Sequence, residues 1–90
     1  MINVGQAAVI AIGYTKNLYP QNENIQIEEV EMSADNSYWM ITVGMDVIYA
    51  DVDSSPLKVF DIVNRKERIY KTVKIDAETG NAVALKIRKV

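Results

Sequence analysis

Residues 69–88 read I-Y-K-T-V-K-I-D-A-E-T-G-N-A-V-A-L-K-I-R, two alternating apolar and polar runs joined by a turn. Alternation with a period of two belongs to a strand with one wet face, and Gly80 can supply the positive φ that closes a short loop. The stretch therefore predicts a β-hairpin. In its first arm Ile69, Val73 and Ile75 share a face that Lys71 interrupts. In the second, Val83, Leu85 and Ile87 share one, leaving Ala84, Lys86 and Arg88 for water. A lone hairpin is marginal in water, so the apolar side needs further strands and a helix over it.

Upstream, residues 3–18 supply the helix. Asn3 can cap, Gln6 gives the reciprocal partner of a capping box, and Ala7, Ala8 and Ala11 favour helix. Ala7, Ala11, Tyr14 and Leu18 recur at three- and four-residue spacing, a stripe that can face a sheet. The competing reading is a strand, since V-I-A-I-G-Y is rich in β-branched residues and Gly13 weakens a helix; length and the alanines favour helix. Tyr19-Pro20 closes it, because the residue before proline is pushed out of helical geometry. A polar loop spans residues 21–24. Residues 25–33 form a first strand whose apolar phase switches between Ile25, Ile27 and Val30, Met32, which a β-bulge near Glu28-Glu29 would reconcile. Ala34-Asp35-Asn36-Ser37 is a turn by composition. Residues 38–47 form the strongest strand: Trp39, Ile41, Val43 and Met45 alternate with Tyr38, Met40, Thr42 and Gly44, with Trp39 expected at the centre of the core. Residues 48–66 leave two alternatives open. Ser54-Ser55-Pro56 could start a short helix carrying Leu57, Phe60 and Val63 inward, or residues 57–63 form an extra strand turning at residues 64–67.

Ninety residues with a formal charge of −2 predict one α+β domain with a single core, a helix packed on a curved four-stranded antiparallel sheet. Cysteine and histidine are both absent. That removes disulfides, thiolate nucleophiles, Cys/His zinc sites and imidazole acid–base chemistry together. Every Lys and Arg except Lys16 follows Leu57, so the C-terminal third is basic and the middle acidic. Cross-strand pairing is the first reading of that asymmetry and a docking surface the second. No concentrated basic face points to nucleic acid, and no window reaches the roughly 18 apolar residues of a membrane span. The N-terminus shows no leader pattern, so a cytoplasmic protein, or a mature exported form, is expected.

The layout from helix to final hairpin resembles the PepSY domain and the wider group of small cystatin-like folds. The resemblance rests on the strand ending in Asp76, the turn with Thr79 and Gly80, and Tyr70, Val73 and Ile75 before it. It implies one helix across a curved antiparallel sheet and a non-catalytic binding module; PepSY domains are usually exported and are thought to restrain peptidases or bind at the cell envelope.

Candidate chemistry divides into carboxylates and a sheet face. Asp46, Asp51 and Asp53 are the densest acidic group outside the first strand and could offer oxygen ligands to a hard cation. They lack the glycine and distal glutamate of a calcium loop, and a solvated loop is the better reading. Glu28, Glu29 and Glu31 could supply acid–base carboxylates, but Glu29 and Glu31 alternate along a strand and read better as lining the wet face of the sheet, paired with Lys74, Lys86 and Arg88. No cofactor, metal or catalytic residue is expected. Tyr38, Met40, Tyr70 and Thr72 fall on the face opposite Trp39, and a patch of that composition suits a protein partner or self-association. The outer strand edges offer a second mode, strand addition. The chain therefore reads as a small non-enzymatic binding or regulatory module, with a structural homo-oligomer as the alternative.

Overall fold

The computed structural model of the chain describes residues 1–49 and 65–88, which form an α+β arrangement of one helix and an open four-stranded antiparallel sheet. Helix α1 (Val4–Leu18) precedes β1 (Glu23–Met32), β2 (Tyr38–Tyr49), β3 (Arg65–Asp76) and β4 (Ala82–Ile87), and the strands lie side by side in chain order. The predicted element order is the observed one. The helix-or-strand alternatives for residues 54–63 lie outside the described residues. A turn over residues 64–67 is excluded, because Arg65, Lys66 and Glu67 already pair with Tyr49, Ile48 and Val47 in the β2–β3 ladder.

α1 starts where its sequence says it should. The Asn3 side chain accepts from the Gln6 backbone N–H at 2.8 Å, and the Gln6 side chain accepts from the Asn3 N–H at 2.8 Å. Two backbone donors that the first helical turn leaves over are thereby satisfied. At the other end Tyr19 caps the helix through its N–H on the Thr15 carbonyl. The buried stripe is Ala7, Ala11 and Thr15, in steps of four; the expected Tyr14 is only half-buried, and Leu18 is exposed. Thr15 tolerates burial because its hydroxyl donates to the Ala11 carbonyl at 2.7 Å. Alanine at two of the three buried positions lets the helix lie close on the sheet.

That close approach sets the core. Ile41 and Val43 of β2, Val73 and Ile75 of β3, and Ala7 and Ala11 of α1 are fully buried together. Trp39 is not at the centre, as the sequence suggested, but half-buried at its rim. The reason is local: an indole N–H taken out of water needs an acceptor, and Trp39 finds it on the Ile2 carbonyl at 3.2 Å. The same N-terminal segment is held by the Ile2 N–H on the Ala77 carbonyl at 2.8 Å.

Two strands depart from simple alternation. In β1 the register shifts between Ile27 and Glu29, so Glu28 is the extra residue, at the site the phase switch predicts; a second irregularity lies between Glu23 and Gln26. In β4 the register shifts opposite Lys74 and Ile75, where Ala82 pairs with Ile75 and Ala84 with Lys74, leaving Val83 extra. That bulge corrects the expected Val83–Leu85–Ile87 face. Ala82 and Leu85 pack against the core, whereas Val83 is 53% and Ile87 73% exposed.

Candidate binding surfaces

The face of the sheet turned away from α1 holds the even-numbered residues of β2 and β3. Register pairs Tyr38 with Asp76, Met40 with Lys74, Thr42 with Thr72 and Gly44 with Tyr70. Tyr38, Met40, Tyr70 and Thr72 therefore share this face, each half-buried, with Tyr38 and Tyr70 at opposite ends of the row. The Thr42 and Thr72 hydroxyls lie 3.3 Å apart. Lys74 does not pair with a glutamate; its ammonium sits 4.1 Å from the Tyr38 ring centroid, a cation–π contact that shelters one side of the ring.

A residue that sequence reasoning passed over organises the far end of this face. Arg68 donates to Glu28 at 2.6 Å, to Asp46 at 3.1 Å and to the Asn24 carbonyl at 2.8 Å. The Glu28 hydrogen bond holds the guanidinium still more firmly protonated than usual, against the opposing effect of burial and with lesser help from Asp46. This clamp crosses β2 over Gly44. A Cβ at Gly44 would lie 2.6 Å from the Glu28 carboxylate and 2.9 Å from the Arg68 guanidinium. The signal was present in the sequence: a glycine inside a long alternating strand marks a close approach by something else. Arg88 reaches Glu29 at 3.0 Å, a pair between the two edge strands that the charge asymmetry does foreshadow.

The edges differ in kind. The Arg88 N–H donates to the Tyr70 carbonyl at 3.0 Å, which makes Tyr70 and Arg88 a hydrogen-bonded pair. Pairs alternate along an antiparallel ladder, so Lys86 and Ala84 point their backbone polar groups inward to β3, in register with Thr72 and Lys74. Leu85 and Ile87 then point theirs outward, where no described strand lies. The opposite edge, β1, bears Glu23, Glu28, Glu29 and Glu31 and two breaks of register, devices that discourage edge pairing.

Of the acidic trio, Asp46 is taken up by Arg68 and by the Asn24 amide at 2.7 Å, while Asp51 and Asp53 lie outside the described residues. Among the described residues no three His, Cys, Asp or Glu side chains converge as a metal site would require. Two further aspartates brace turns. Asp76 accepts from the Glu78 and Thr79 N–H groups at 2.8 and 3.0 Å, and those bonds, Thr79 first, hold its carboxyl below the ordinary range. Asp35 is lowered likewise, by the Ser33 hydroxyl and then the Ser37 N–H. A shallow groove of about 590 Å³ runs between the start of α1 and the β3–β4 turn, walled by Ile2, Val9, Ile10 and Gly80. The polar side chains beside it are engaged locally: Asn3 and Gln6 each accept from the other's backbone N–H in the capping box, and the Thr79 hydroxyl accepts from the Asn81 N–H.

No family model, curated protein or solved structure matches the chain.

Proposed function

We propose that this chain is a small non-enzymatic module that binds a protein partner through the open face of its sheet or through an edge strand. The observation behind the reading is that Tyr38, Met40, Tyr70 and Thr72 share a face on which no described element lies. Tyrosine and methionine in a half-buried patch rimmed by charge have the composition of a protein-binding surface. Of the carboxylates on or beside that face, Glu28, Asp46, Glu29 and Asp76 are engaged in the Arg68 clamp, the Arg88 pair and the β3–β4 turn, while Glu31, opposite Met40, is exposed to solvent. Affiliation with PepSY-like or cystatin-like folds belongs to the same proposal, supported by the Asp76–Thr79–Gly80 turn and the bulged strand beside the helix.

The test is affinity capture from the native host with the chain and with Tyr38→Glu and Tyr70→Glu variants, each first shown to be folded by circular dichroism. Loss of one and the same partner in both variants is the expected result. Equal capture by all three proteins would overturn the face as the binding surface.

A further inference from the structure

We propose that the outer edge of β4 accepts, as a fifth strand, an extended peptide segment in which apolar and acidic residues alternate. This deepens the binding-module reading and rests on it, replacing an unspecified partner by one of stated chemistry. Three observations converge. The phase of the β3–β4 ladder leaves the N–H and C=O groups of Leu85 and Ile87 directed outward, and unpaired backbone groups on an exposed edge are a template for another strand. On the helix side, Ile87 is 73% exposed, beside the partly buried Leu85. On the other side β4 presents Lys86, exposed and without an ion pair among the described residues, whereas Arg88, just past the strand, turns back across the sheet to Glu29 of β1. An incoming strand thus meets apolar neighbours on one face and a cation on the other.

Charge selects among the possible occupants. Opposite charges across a strand pair stabilise and like charges destabilise, so glutamate or aspartate opposite Lys86 fits where lysine does not. A second copy docking β4 against β4 would crowd two Lys86 side chains onto one face. A second copy offering β1 would bring suitable glutamates, but on a strand whose register is broken twice. The β1 edge, acidic and bulged, would turn the same peptide away, so the sheet has one receptive side.

The experiment titrates the full chain into a fluorescently labelled, end-blocked peptide of alternating valine and glutamate, with an alternating valine–lysine peptide as control. Binding of the glutamate peptide alone is expected, weakening as salt rises from about 0.05 to about 0.5 M through screening. Lys86→Glu should weaken it roughly fivefold to tenfold, the size of exchanging one attractive cross-strand contact for a repulsive one, and should admit the lysine peptide. Amide resonances of Leu85 and Ile87 should shift on binding while those of Tyr38 and Tyr70 stay in place. The proposal is overturned by indifference to Lys86→Glu, by shifts confined to the Tyr38–Tyr70 face, or by no binding at about millimolar chain. It is equally overturned if sedimentation shows a dimer that already occupies the Leu85 and Ile87 amides. Any of these results leaves the Tyr38→Glu and Tyr70→Glu capture experiment intact, so the two readings fail separately.

Discussion

At Gly44 a strand that is otherwise continuous in side chains carries none, and the ion pair between Glu28 and Arg68 passes through the space. A methyl group there displaces flexible side chains and not backbone, so Gly44→Ala should keep the fold and lose the clamp. The expected cost is about 1 kcal/mol, since the clamp is partly exposed and such pairs are modest. In a Glu28→Ala background the same change should be neutral or stabilising, because alanine suits a strand interior better than glycine. Urea denaturation of the four proteins in the cycle measures that coupling; equal costs in both backgrounds would contradict it. Asp76 carries a second prediction. Its folded-state pKa lies below the ordinary 3.8, so its contribution is complete above that value and is lost as pH falls through the lowered one. Asp76→Asn should therefore lower stability at neutral pH and flatten its decline below roughly pH 4, read from urea midpoints across an acid series. Both residues stand in the sequence with visible signals, a glycine within a strand and an aspartate opening a turn. What alternation could not disclose is that Arg68 reaches from β3 to both β2 and β1, because period-two patterning assigns a side chain to a face and says nothing of its length across it.

Among the elements, α1 and its cap were legible because capping is local: Asn3 and Gln6 are three residues apart and need nothing distant to make their bonds. Asn3→Ala should cost about 1 kcal/mol, and Gln6→Ala less, as thermal unfolding followed by circular dichroism would report. The bulge at Glu28 was legible for the same reason, as a phase switch within a single strand. The bulge at Val83 was not, since V-A-L-K-I keeps its alternation and only pairing with β3 shows a residue too many. Trp39 shares the inward phase of Ile41 and Val43, but alternation assigns a face and not a depth, and the ring lies at the rim of the core. Two alanines on the helix leave no room for an indole beneath them, and the ring moved to the rim where the Ile2 carbonyl awaits its N–H. At the β3–β4 turn Gly80 adopts φ +78°. Gly80→Ala should cost about 1–2 kcal/mol there, with the Ile10 methyl 3.3 Å away adding to the strain.

For the molecule as a whole, the helix faces one side of a sheet whose other side holds a tyrosine–methionine patch braced by ion pairs, and whose two edges are unlike. One edge is acidic and twice bulged; the other is regular beyond Val83, apolar toward the helix and basic away from it. No described strand covers this second edge, which leaves it open to a partner. Amide hydrogen exchange on the isolated chain tests it most directly. Ile41, Val43, Val73 and Ile75, in the buried ladder, should exchange slowest, Lys86 should be protected by its bond to β3, and Leu85 and Ile87 should exchange orders of magnitude faster than Lys86 between them. Protection of Leu85 and Ile87 equal to that of Lys86, in the chain alone, would mean the edge is already covered and would contradict that openness.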